Sequence, residues 1–299
     1  MFRDIEERYL GIKRALKVLL DQRLTGRERE VNSHNWHFLC HDNGADVRLY
    51  QVNAGKFIYD MSARELADLL EAVQGILDDY LLEGGEQNLW AMDYVVAEAQ
   101  RGTLEAFNNL SQQSQVYASQ TTLQQLLNSP GYLNQISAAR LTTFSDWKVI
   151  SDTARGDLTN IITDAVARGV SPRDTAQVIS KRLDVSMYKA KTIAQTEQVG
   201  ALRQAQRNEV DWAKERLGLN TAILWISALK PTTRMTHGAR HGKTYTTDEV
   251  AEFYSKDGNS YNCYCANIPC LLDDEGKLYN EGLAEKLSKE RSNWKSSEK

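Results

Sequence analysis

Proline and cysteine are both scarce in this chain, four of each among 299 residues, and glycine accounts for 18. Such a composition excludes collagen-like chains and small disulfide scaffolds, while 41% hydrophobic residues exclude a wholly disordered polymer. Long apolar runs are missing as well. No stretch reaches the about 18 apolar residues that a transmembrane helix requires, so no membrane partner is expected. Residues 1–20 interleave charges throughout and lack the apolar core and small-residue cleavage site of a secretion signal. Nor is there an excess of basic charge: Lys+Arg 36 against Asp+Glu 40 gives a net charge of -4. That balance argues against a dedicated high-affinity DNA binder and leaves room only for a local basic patch. What is present is an ordinary globular composition whose length suits about two domains at roughly 150 residues each.

Hydrophobic periodicity predicts an α+β chain with a predominantly α-helical N-terminal half, a small β-hairpin within it, and a smaller α+β C-terminal domain. Residues 5–24 form the first helix candidate, with an apolar face running from Tyr9 to Leu20. Short β-branched runs between residues 36 and 59, with Asn-Gly-type turns, predict the hairpin. Ser62-Ala63-Arg64-Glu65 reads as a capping box opening a helix that ends at Gly84-Gly85. A second helix follows over about 90–110, then a Gln/Ser-rich connector near 111–128, then renewed helical periodicity from Tyr132 to Ile162. Ser171-Pro172-Arg173-Asp174 supplies an N-cap and a first-turn proline for a short helix ending near Leu183, and Ser186 starts a long helix that reaches Gly218. Residues 221–227, TAILWIS, are the best strand candidate. The expected domains are therefore 1–168, mainly helical, 169–272, mixed α+β, and 273–299, a charged C-terminal tail.

Chemistry-bearing residues crowd into the last third. Arg234, His237, Arg240 and His241 follow the strand, and Asn262-Cys263-Tyr264-Cys265 closes the domain. His237, His241, Cys263 and Cys265 are nitrogen and sulfur donors of the number and type that zinc prefers. A single residue between two thiols is tighter than usual, so a turn or bulge is required for both to reach one ion, with Cys270 in reserve. Buried free thiols under a loop are the other account of the same residues. His34, His37, Cys40 and His41 are a weaker cluster, spread by strand alternation over two faces. Glu197 interrupts a helix stripe of Ala190, Ala194, Ala201 and Ala205, where a partner or a solvent gap is needed. No Gly-rich phosphate loop, His-Glu-x-x-His motif or nucleophile elbow occurs.

The order of these features resembles the Mu F-like family of phage minor head (head morphogenesis) proteins. The helix segment Ile193-Ala194-Gln195-Thr196-Glu197, the Trp225 strand, Arg234-x-x-His237 and Asn262-Cys263-Tyr264-Cys265 carry the resemblance, over about 164–272. Thr196, Glu197, Arg234, His237, Asn262, Cys263 and Cys265 are the matching motif positions. Two departures stand out: the usual arginine of the helix motif is Gln195, and the usual arginine between the cysteines is Tyr264. Lost charges at both places favour a structural role for the motif over a catalytic one.

The resemblance implies a non-enzymatic assembly protein of the virion head interior, made in the host cytoplasm. Its implied partners are the portal protein and capsid or scaffolding proteins, with weak DNA contact and, in some relatives, ejection with the DNA. The Tyr9 to Leu20 face and the Gln-rich connector suit docking to such partners. Two other readings remain open. The C-terminal domain as an ADP-ribosyltransferase-like enzyme would use Arg234, Thr196 and Glu197; as a zinc-stabilised nucleic-acid module it would use Arg234, Arg240 and Lys243.

Overall fold

The computed structural model describes residues 1–28, 38–40, 48–50 and 57–297. His34, His37, His41 and the side chain of Cys40 lie outside the described residues. The chain begins with α1 (Phe2–Arg23), then β1 (Gly26–Glu28), β2 (Phe38–Cys40), β3 (Arg48–Tyr50) and β4 (Phe57–Tyr59). Helices α2 (Ala63–Leu81), α3 (Gly85–Asn88), α4 (Met92–Gln113), α5 (Gln115–Gln120) and α6 (Leu123–Leu127) follow, and then the long α7 (Pro130–Arg168) and α8 (Pro172–Leu217). The last third contains β5 (Thr221–Ile226), α9 (Met235–Gly238), β6 (Thr244–Tyr245), α10 (Thr247–Ser255), β7 (Ala266–Leu271) and α11 (Glu281–Ser297). This is the expected α+β class, dominated by helix. The hairpin region contains two antiparallel pairs, β2 with β3 and β1 with β4.

Two compact units form. One comprises Glu86–Phe144 and Thr192–Lys299, the other Phe2–Gly85 and Ser145–Lys191. The expected boundary at residue 168/169 differs from these units, because α7 (39 residues) and α8 (46 residues) each contribute a segment to both. The predicted break between Leu183 and Ser186 is also absent. No glycine or proline lies there to interrupt the ladder, and Ser186 directs its hydroxyl to Tyr9 Oη at 2.8 Å instead of capping a new helix. The start of α8 is as expected: Ser171 Oγ accepts from the Asp174 amide at 3.2 Å, with Pro172 at the first helical position.

In the unit containing α1, the residues Ile5, Tyr9, Ile12, Leu16 and Leu20 are buried with Leu69, Val73, Leu77 and Leu81 of α2. The apolar face expected to meet a partner is thus already consumed inside its own unit. Ser62 makes the predicted capping box with Glu65. Trp147 is fully buried in the same unit, and Arg182 forms a two-pronged bond to Asp157 at 2.7 Å on each side.

The other unit is built round a three-stranded antiparallel sheet in the order β6, β5, β7. All of Thr221–Trp225 is buried, which requires cover on both faces of the sheet. Alternation delivers it. Ile223 and Trp225 point into a cluster with Val210 of α8, Val250 of α10, Cys263 and Cys265. Ala222 and Leu224 point the other way, toward Cys270 of β7 and Leu287 of α11. Residues 281–297 are therefore a docked helix and not a charged tail: Leu287 and Trp294 lie seven residues apart on one stripe and both are buried. Gly238 sits so close beneath Trp294 that a Cβ there would overlap the indole ring. The connector is also ordered, as α5 and α6, capped by Ser114 and Thr122 and anchored by buried Tyr117 and Leu126.

Candidate metal centre

Trp225, near the end of β5, is the floor of the site. Its indole is fully buried, stacked on Tyr254 with centroids 5.1 Å apart and met edge-on by Phe253 at 5.1 Å. The chain then loops to α9, which presents His237, 2% exposed, with its ring centroid 6.0 Å from that of Trp225. From the opposite side comes the turn before β7. Asn262 has φ 49°, a left-handed conformation that asparagine tolerates better than most side chains. This residue supplies the turn by which a Cys-x-Cys pair converges, in place of the metal-site spacing of two to four.

His237, Cys263 and Cys265 come together, with their ligand atoms within 4.8 Å of one another. His237 Nδ1 lies 3.4 Å from Cys263 Sγ and 3.5 Å from Cys265 Sγ. Zinc bonds of about 2.3 Å to sulfur and about 2.05 Å to nitrogen give tetrahedral nitrogen-to-sulfur edges of about 3.6 Å, so these separations are compatible with a shared ion. The imidazole is also held in the orientation a metal needs. Asn259 Nδ2 donates to Phe253 O at 3.0 Å, which turns its Oδ1 toward His237 Nε2 at 3.2 Å. Arg234 Nη1 also lies 3.2 Å from Nε2, so the ring is held from behind through this nitrogen while Nδ1 faces both sulfurs. Arg234 braces the arrangement by donating to Asn259 O at 3.1 Å and Tyr261 O at 2.5 Å.

Arg203, on α8, was not singled out from sequence and is central here. It is 3% exposed, and its Nη2 donates to Cys265 O at 2.6 Å, to Cys263 O at 3.2 Å and to Cys263 Sγ at 3.2 Å. A hydrogen bond from Cys265 holds the Cys263 thiol well below the usual thiol range, with His237 and Arg203 acting in the same direction. Cys265 is correspondingly pushed up, first by sharing its proton with Cys263 and then by burial. A metal ion takes both sulfurs as thiolates. No spacing rule marks Arg203 in the sequence, since it reaches the site from a helix 60 residues away.

Other expected positions go elsewhere. His241 is not a ligand of this group: its Nδ1 accepts from the Ser227 amide at 3.0 Å, and its Nε2 meets Glu290 of α11 at 3.1 Å. Cys270 does not serve in reserve, because it faces the α11 side of the sheet, bonds Ala222 O at 3.4 Å and has its thiol pushed up to about 12 by burial. Thr196 joins the site's rim, its Oγ1 receiving the Asn262 amide at 3.4 Å. Glu197 lines a separate groove of about 510 Å³ with Gln135 and Asn208. Arg234 borders a pocket of about 140 Å³ that Glu197 does not line, so the trio Arg234, Thr196 and Glu197 shares no cavity. Arg240 is not a solvated phosphate contact: its guanidinium lies over the rings of Phe253 at 4.0 Å and Tyr245 at 4.4 Å. Gln195 and Tyr264, the two departures from the motif, line one groove of about 570 Å³ together with Arg101.

A helix, a short sheet and a buried His-Cys-Cys group thus define a small α+β module with a candidate metal centre. Residues 157–268 match the family described as Phage Mu protein F like protein. A protein of Haemophilus influenzae, uncharacterized, is 23% identical over 256 residues, covering 83% of this chain and 54% of that protein. The chain thus spans about half the length of the relative it matches. No solved structure matches the chain.

Proposed function

We propose that this chain is a phage minor head protein that acts in head morphogenesis, associating with the portal and the capsid interior during procapsid assembly. Its place is then the host cytoplasm during assembly and the virion head afterwards. The observation that carries the reading is the convergence of motif residues inside the stretch that matches the Mu F-like family. Thr196, Arg234, His237, Asn262, Cys263 and Cys265 gather round a single buried centre and hold α8, α9 and the turn before β7 to one another. Motif residues spent on internal bonds suit a scaffold better than a catalyst, and we take the chain to be non-enzymatic. In this reading His237, Cys263 and Cys265 hold one zinc ion, which ties the module together and supplies no catalysis. Among the described residues no helix is long and apolar enough to cross a membrane.

Deleting the gene from its phage is expected to leave heads reduced in number or infectivity. Heads of normal number, composition and infectivity would overturn the assembly role. Elemental mass spectrometry of the purified protein is expected to find about one zinc per chain, and a value below about a tenth of an equivalent would remove the metal.

A further inference from the structure

We propose that the fourth coordination position of the His237, Cys263, Cys265 centre opens onto the pocket beside it and takes an oxyanion, an oxygen of a carboxylate or phosphate group, in place of a fourth protein side chain. The inference rests on the zinc reading above and adds the ligand class to it.

The donor inventory comes first. Zinc in a closed structural site has four protein ligands, whereas three leave a position for solvent or an incoming group. Among the described residues the donor group has three members. His241 and Cys270, the nearest candidates in sequence, are committed to Ser227 and Glu290 and to Ala222 respectively. All three ligands border the same pocket, whose volume is about 140 Å³. That space exceeds what a single water needs and is of the size of a small oxyanion.

Charge then selects the occupant. Zn²⁺ with two thiolates and a neutral imidazole is neutral overall. Around it stand Arg203, whose bonds go to the backbone carbonyls of Cys263 and Cys265 and to the Cys263 sulfur, and Arg234, whose bonds go to those of Asn259 and Tyr261 and to the His237 ring. Lys230 adds a third cation at the pocket, its Nζ lying 4.5 Å from the Tyr264 ring centroid. None of the residues lining the pocket is an aspartate or glutamate. Lys230 and Arg234 on the pocket wall, Arg203 bonded to the cysteines behind it, and the lack of any lining carboxylate favour an anion at the open position. The same inventory argues for binding over turnover: apart from the ligands themselves, the pocket wall offers no carboxylate or imidazole to act as a general base.

The full chain loaded with Co²⁺ in place of zinc tests this directly, because cobalt reports sulfur ligation and the fourth ligand in separate absorption bands. Sodium acetate and inorganic phosphate are the probes, with chloride at matched ionic strength as the control. The expected result is a saturable change in the visible ligand-field bands with acetate, phosphate or both. The thiolate-to-cobalt band should persist, and chloride should have no effect. A response to acetate alone assigns the site to carboxylates, and a response to phosphate alone assigns it to phosphate groups. Lys230→Glu, at an exposed position outside the ligand set, is expected to weaken the response about tenfold while leaving cobalt binding intact. Cobalt bound through sulfur with bands that neither anion alters, or that chloride alters equally, overturns the oxyanion proposal while the zinc reading stands. Absence of the thiolate-to-cobalt band overturns the zinc reading itself.

Discussion

Asn259 Oδ1 lies 3.2 Å from His237 Nε2, and the same amide is pinned from behind by its bond to Phe253 O at 3.0 Å. The ligand imidazole is therefore aimed by a side chain that touches no donor atom. Asn259→Ala is expected to weaken zinc affinity by about 10-fold to 100-fold, the usual cost of losing such support, without abolishing the fold. Competition with a chromogenic chelator measures the affinity, and far-UV circular dichroism checks the fold. Unchanged affinity would show that Arg234, which meets His237 Nε2 at 3.2 Å, orients the ring without Asn259.

Glu209, on α8, is buried, and desolvation pushes its carboxyl up to about 7 although Tyr117 Oη donates to it at 3.1 Å. Between its ordinary value of 4.5 and about 7 the folded protein keeps a proton that the unfolded chain has released. The stabilisation from that proton is complete below about pH 4.5 and is lost as pH rises through about 7, a change on the order of 3 kcal/mol. Glu209→Gln cannot ionise. Its urea midpoint should match the parent near pH 4.5 and exceed it at pH 8. Parallel midpoints across this range would show that the carboxylate finds adequate solvation inside the fold.

Leu287 packs α11 on the sheet and Trp294 lies over Gly238 of α9, and both are at most 7% exposed. Trp294→Ala should cost about 3 kcal/mol, as removal of a large buried ring usually does. Gly238→Ala, which drives a methyl group into the same indole, should be destabilising by a comparable route. Chemical denaturation of the two variants reads both effects. Stability within about 0.5 kcal/mol of the parent for Trp294→Ala would mean that α11 is peripheral.

A similar test applies where α4 meets α8. A Cβ at Gly102 would collide with the Leu202 carbonyl, and backbone cannot swing aside as a side chain does. Gly102→Ala is expected to destabilise by about 1–3 kcal/mol despite alanine's better helix propensity. A stabilised variant in thermal melts would indicate that α4 and α8 separate without cost.

Local signals in the sequence were legible wherever local chemistry decided the outcome. Ser62 and Ser171 cap the helices that their spacing predicts, and Thr221–Ile226 of TAILWIS is the central strand. The convergence of His237 with Cys263 and Cys265 was legible as a donor set, and the Mu F-like match at 157–268 overlaps the resemblance at 164–272. What could not be read required knowledge of which surfaces meet. Arg203 looks like any helix arginine until the cysteine turn folds over it. The stripe of Leu287 and Trp294 is short and diluted by charge, so residues 281–297 read as a solvated tail until the second face of β5 needs a cover. His241 matches a metal ligand in type and spacing, and only its bonds to Ser227 and Glu290 show that it is spoken for.

The left-handed backbone at Asn262 has a consequence for how related chains are to be found. The asparagine before Cys-x-Cys is there for its φ angle and touches the site through its backbone amide, which reaches Thr196 Oγ1. Glycine and aspartate meet the same geometric requirement, whereas valine, isoleucine and threonine do not. A search pattern that fixes asparagine at this position will discard true relatives, and one that admits glycine or aspartate while excluding β-branched residues describes the turn itself.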